Sequence, residues 1–89
     1  MALRILSSPN ESTDVAETLQ QAIEAAISGA DVTVTPLSPG HFEIRVVSGA
    51  FEGKSRIAQQ QLVYGSIAHL MKGDAAPVHA IDRMQTELP

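Results

Sequence analysis

Three histidines, His41, His69 and His79, are the side chains of this chain best suited to chemistry near neutral pH. Imidazole changes charge in that range and coordinates borderline metals through either ring nitrogen. Their spacing forms no short metal-ligand motif, since no two stand one helical turn apart, and so gives no strong signal for a self-sufficient metal site. The chain has no Cys, which removes disulfides, thiol nucleophiles and a cysteine cage for zinc or for iron and sulfur. A metal held here therefore has to rest on imidazole, carboxylate or the sulfur of another molecule. His79 lies in Val78-His79-Ala80, where strand alternation sets its ring opposite both neighbours. It reads either as a solvated, backbone-bonded strand residue or as a donor on the open side of a sheet. His41 follows Pro39-Gly40 and reads either as a polar residue on an exposed strand face or as a second donor, if the turn folds toward His79. His69, beside Leu70 and Met71, reads as a surface or interface side chain without chemistry.

A second group is cationic. Lys54 and Arg56 flank Ser55 in the run Phe51-Glu52-Gly53-Lys54-Ser55-Arg56. As structure, this run is a strand-to-helix turn with an apolar anchor, a permissive Gly and a Ser placed to cap the helix. As chemistry, the amides of a helix start beside two cations form an anion site. The formal net charge of -4 sets the average surface against a phosphate backbone. Tyr64 is the single Tyr and Trp is absent, so no stacked aromatic platform for bases is available. Acidic residues are scattered and no Ser, His and Asp combination stands out, so the chain reads as no enzyme.

These side chains need elements to position them. Val15, Leu19, Ala22, Ile23, Ala26 and Ile27 recur at spacings of three and four, predicting a helix from about residue 13 to about residue 28. Ser12 or Thr13 would cap it, Asp14 and Glu17 suit its first turn, and Gly29 would follow its last. Asp31 to Thr35 alternates into a strand that Pro36 terminates. Phe42, Ile44 and Val46 share one face of a second strand, with His41, Glu43 and Arg45 on the other. The short loop between the two implies an antiparallel hairpin. A helical segment from Arg56 loses its period at Gln59-Gln60-Gln61 and resumes with Val63, Ile67, Leu70 and Met71, so two short helices or one kinked helix are expected. Val78 to Met84 makes a third strand, parallel to the second because a helical crossover separates them. The expected fold is α+β: a small mixed three-stranded sheet with helices on one face, in the order αββα(α)β.

The motifs in that order resemble the BolA-like family: the aromatic-led strand His41-Phe42-Glu43-Ile44-Arg45-Val46-Val47, the Phe51 to Arg56 turn, Val63-Tyr64 in the later helix and the closing Val78-His79-Ala80. The resemblance implies a fold similar to class II KH domains. It also implies that His79 is a ligand of a two-iron two-sulfur cluster shared with a monothiol glutaredoxin and glutathione. Imidazole replaces thiolate on iron in Rieske centres and raises the potential. Many relatives carry a Cys or His in the loop where this chain has Ser38-Pro39-Gly40; Ser38 is a poor iron ligand, and His41 could serve if the loop folds toward His79. Since a two-iron cluster takes four ligands and this chain has no thiolate, the glutaredoxin cysteine and glutathione would fill the other places. The implied role is iron–sulfur cluster trafficking or iron sensing.

Two other readings compete. One is a nucleic-acid-binding transcriptional regulator using the KH-like surface with Lys54 and Arg56 on phosphate. Against it, the chain lacks a Gly-x-x-Gly loop and has Gln59-Gln60-Gln61 where relatives often place Arg-His-Arg. The other is a metal-free homodimer joined through the helix face and Tyr64. At 89 residues the chain has room for one domain, read as residues 13–89 after a tail of 1–12. Its last residues, Gln85 to Pro89, look truncated beside relatives that continue into a further helix. No apolar run approaches the roughly 18 to 20 residues that span a bilayer, and residues 1–10 lack the pattern of a secretory signal. A cytoplasmic setting follows by default.

Overall fold

Alternating side chains build three strands, and the buried half of the alternation decides where the core lies. The computed structural model describes residues 11–89. The tail of residues 1–12 and the reading of a missing signal therefore fall almost wholly outside the described residues. Strand β1 (Asp31–Pro36) pairs antiparallel with β2 (His41–Val47), and β2 pairs parallel with β3 (Ala80–Glu87). The sheet order is β1-β2-β3, so β2 is central. Phe42, Ile44 and Val46 are buried as their spacing predicts. Pro36 closes β1, an edge strand, where a missing N–H leaves no interior partner unpaired.

Helix α1 (Glu11–Ala26) and helix α2 (Arg56–Ile67) supply the other side of the core. Helix α1 buries Ala16, Leu19 and Ile23, with Ile27 just beyond its end, a stripe at spacings of three and four. Ala26, expected on the stripe, is exposed, and Ala16, not expected there, is buried at its start. The helix starts by Glu11, which puts Ser12 and Thr13 inside its first turn rather than at the capping position. Gly29 has φ +66°, the left-handed conformation expected just past a helix end.

At α2, Ser55 caps as expected, its Oγ accepting from the Ala58 N–H at 3.1 Å. The anticipated break at Gln59-Gln60-Gln61 is absent: α2 is one continuous helix that tightens into a 3₁₀ turn at Ala68–Leu70. The apolar period fails there because Gln59 is held on the inner side by hydrogen bonds. Its Nε2 donates to the Lys54 carbonyl at 2.9 Å, and its Oε1 accepts from Thr86 Oγ1 at 2.7 Å. That second bond also explains a correction to β3, which runs three residues past the expected end at Met84. Thr86 is buried, so the strand continues through a polar stretch whose side chains are satisfied by α2 and β2.

Ser48 ties the far end of the sheet. It is fully buried, and its Oγ donates to the Ser28 carbonyl at 3.0 Å while accepting from the Ala50 N–H at 3.0 Å. Its own N–H donates to the Glu87 carbonyl at 3.0 Å. Through its side chain and its backbone N–H, this one residue connects the exit of α1, the end of β2, the 3₁₀ turn Gly49–Phe51 and the end of β3. Replacing Ser48 with Ala removes two part-buried hydrogen bonds, to the Ser28 carbonyl and from the Ala50 N–H, a loss of about 1 kcal/mol. Urea unfolding should show a lowered midpoint at unchanged slope; an unchanged midpoint would deny the hub any role in stability.

Candidate functional site

The site grows from one turn. Residues Ser38 to His41 close β1 to β2, with the His41 N–H donating to the Ser38 carbonyl at 2.8 Å and the Leu37 N–H to the His41 carbonyl at 2.9 Å. Pro39 stands second in this turn and Gly40 third, with φ +81°, the residue pattern of a type II turn. The Gly40 carbonyl then accepts two backbone N–H groups, from His79 at 2.8 Å and Ala80 at 3.1 Å. The turn before β2 is thereby clamped to the entry of β3.

The clamp sets where His79 lies. Strand pairing begins at Ala80, opposite His41, so Val78 and His79 precede β3 rather than opening it as the sequence suggests. Val78 is fully buried and His79 exposed, so the expected opposition of the two survives in the extended entry. The His79 ring packs directly over Gly40, at whose Cα a methyl group would stand 2.0 Å from Cδ2. Neither ring nitrogen has a hydrogen-bond partner among the described residues.

His41 is held differently. The register between β2 and β3 shifts between Phe42 and Glu43, which face Ile81 and Arg83. Asp82 is therefore the extra residue of a bulge, and bulges commonly re-aim a side chain. Its Oδ1 accepts from His41 Nδ1 at 2.9 Å, with the two side chains 44% and 39% exposed. In the tautomer that this contact favours, Nδ1 carries the proton and donates to the carboxylate, and the Nε2 lone pair is free. Sequence reading missed Asp82 and Gly40. The signal for Asp82 was its parity with Ala80, which a parallel register from His41 would have placed on the His41 face.

The structure sets the His79 ring against Gly40, the residue just before His41 in the chain. His69 belongs to another element, exposed in the 3₁₀ turn after α2. Among the described residues no three His, Asp or Glu side chains converge into a metal cage, so the two imidazoles form an incomplete donor set. Lys54 and Arg56 are exposed at the start of α2 and make no ion pair among the described residues. On the open face of the sheet, Arg45 is bound to Glu87 through Nη2 at 2.8 Å and Nε at 3.3 Å. That hydrogen bond and the carboxylate's charge raise the Arg45 pKa, leaving its charge already matched.

A family profile described as BolA-like protein matches residues 10–87. An uncharacterized protein from the rpoN-murA intergenic region of Acinetobacter guillouiae is 35% identical over 66 residues, spanning 73% of this chain and 75% of that protein. Among solved structures, the BolA domain of SufE1 from Arabidopsis thaliana superposes with a TM-score of 0.68 at 20% identity, covering 96% of each chain. A bolA protein homologue from Coxiella burnetii gives 0.64 at 24% identity, over 96% of this chain and 94% of that one. At such identities the two structures speak to the fold. The expected architecture, three strands with helices on one face, is the one observed. No helix among the described residues is long and apolar enough to cross a membrane.

Because the His41–Asp82 pair is largely exposed, Asp82→Ala should change stability by less than about 1 kcal/mol. Its effect should appear at the ring: long-range ¹H–¹⁵N spectra should show His41 as the Nδ1–H form in the native protein and as a tautomer mixture in the variant. Identical ring spectra in the two proteins would rule out tautomer control by Asp82.

Proposed function

Since the chain belongs to the BolA-like protein family, we propose that it is a non-enzymatic partner of a monothiol glutaredoxin, contributing imidazole to a shared two-iron two-sulfur cluster. The observation that carries this reading is the pair of imidazoles at the Gly40 turn in a chain without a thiolate. The donor set fits in chemistry and in number. His79 is exposed with both nitrogens uncommitted among the described residues, and His41 has the carboxylate partner that metal-bound histidines usually keep on their other nitrogen. Two donors cannot complete the four places of such a cluster. The glutaredoxin cysteine and a glutathione thiol fill the rest, which makes the protein a co-ligand and not an independent holder.

When bound, the cluster supplies one-electron chemistry and exchangeable iron, with a potential that rises as neutral imidazole replaces thiolate. The protein's own residues do the positioning. Asp82 keeps the proton at His41 Nδ1, so Nε2 remains a donor. The two N–H bonds to the Gly40 carbonyl fix the backbone of His79 to the turn that carries His41. The role is cluster trafficking or iron sensing in the cytoplasm, where thiols stay reduced. Lys54 and Arg56 are two cations on a chain of net charge -4, and Gln59 is turned inward rather than offered to phosphate. A nucleic-acid role has less to rest on.

The test is anaerobic reconstitution with a monothiol glutaredoxin, glutathione, iron and sulfide, read by visible absorption and circular dichroism of the co-eluting complex. A heterodimer with a spectrum distinct from that of the glutaredoxin alone is expected. His79→Ala should return the spectrum to the glutaredoxin form, and His41→Ala should alter it. No co-elution together with an unchanged glutaredoxin spectrum would sink the reading and make salt-dependent nucleic-acid binding the next assay.

A further inference from the structure

Four glycines of the described chain have positive φ: Gly29 at +66°, Gly40 at +81°, Gly53 at +76° and Gly73 at +87°. At Gly29, Gly53 and Gly73 a Cβ would meet nothing within 4 Å. Those three positions ask for glycine by backbone conformation alone. At Gly40 a Cβ would stand 2.0 Å from Cδ2, 2.9 Å from Cγ and 3.1 Å from Nε2 of His79. The obstacle is the body of a rigid ring, and the ring cannot retreat with its backbone. The His79 N–H is bonded to the carbonyl of the same glycine at 2.8 Å. The imidazole is thus backed by Gly40 and tethered to Gly40. The Cδ2 corner faces the turn, and the Nδ1 and Cε1 atoms lie farther from it.

We propose that Gly40 is the positioning residue for His79. Its missing side chain is the seat against which the ring rests, and the seat sets the direction in which the ring nitrogens meet a metal shared with a partner. This rests on the reading of His79 as a ligand. An L-residue at position 40 would push the imidazole into another rotamer and crowd Nε2. Gly29 and Gly53 supply controls, because alanine there meets a similar backbone penalty without touching a ring.

The first test needs no metal. In the native apo protein, the Hα protons of Gly40 should show a nuclear Overhauser contact to His79 Hδ2 and a ring-current shift that vanishes in His79→Ala. Absence of both overturns the seat. Next, thermal unfolding of Gly40→Ala and Gly53→Ala, each with and without His79→Ala, separates collision from backbone strain. Gly40→Ala should lower the Tm more than Gly53→Ala, and the excess should disappear once the ring is removed. An equal loss in both backgrounds overturns the seat.

Finally, in the reconstituted glutaredoxin complex, Gly40→Ala should shift the visible circular dichroism bands while Gly53→Ala leaves them in place. Bands that respond to His79→Ala but not to Gly40→Ala overturn the positioning role while the ligand reading stands. Bands indifferent to His79→Ala overturn the ligand reading, and the apo results then report the seat by themselves.

Discussion

A single carbonyl oxygen, that of Gly40, receives the N–H groups of both His79 and Ala80, and much of the architecture exists to bring those three residues together. The Pro39-Gly40 turn presents the carbonyl where β2 begins. Helix α2 and its 3₁₀ extension carry the chain across the sheet so that β3 returns parallel to β2, as a long crossover permits and a tight turn does not. Val78, fully buried, anchors the chain just before the clamp. At the opposite end of β2, Ser48 performs the matching closure, joining β2 to β3 and to the exit of α1. The central strand is therefore pinned at both ends by backbone and small-residue hydrogen bonds, with the apolar Phe42, Ile44 and Val46 face between them.

The two faces of the sheet divide the work. The inner face holds the apolar cluster that stabilises the fold, with Leu19, Ile23, Phe51, Val63 and Ile67 closing over it. The outer face carries polar and charged side chains whose bonds run across strands, Arg45 to Glu87 and His41 to Asp82. The Arg45 charge is matched by Glu87 there, so this cation offers little to a polyanion. What it does leave uncommitted is imidazole nitrogen. Imidazole is a metal donor that needs no charge, which is the property the proposed cluster role draws on.

Much of this was legible in residue order. The hairpin followed from the alternation of Asp31 to Thr35 and of Phe42 to Val46, and α1 from the spacing of Leu19, Ile23 and Ile27. Where the reading strayed, long-range polar bonds were responsible. Gln59 looked like a break in a helix because its inward polar side chain interrupts the apolar period, yet Thr86 and the Lys54 carbonyl satisfy it. The same Thr86 extends β3 beyond Met84, where a strand judged by apolar alternation would stop. His79 fell one residue outside the strand because its N–H bonds sideways to a turn distant in sequence. The site showed the same split: both histidines were visible as candidates, whereas Asp82 and Gly40 were not.

Sequence by itself determined the elements, their order, the apolar face and the absence of any thiolate, because periodicity, turn chemistry and composition are local properties. It also determined that any thiolate ligand would have to come from elsewhere, since that is a matter of counting side chains. Only the tertiary structure decided that a bulge hands Asp82 to His41, that Ser48 joins four segments, and that the His79 ring lies on Gly40. Each of those depends on register between β2 and β3, and register is a choice of pairing between segments about 40 residues apart. No local pattern encodes which residue of one strand meets which residue of the other; the packed core and the clamps at both ends select it.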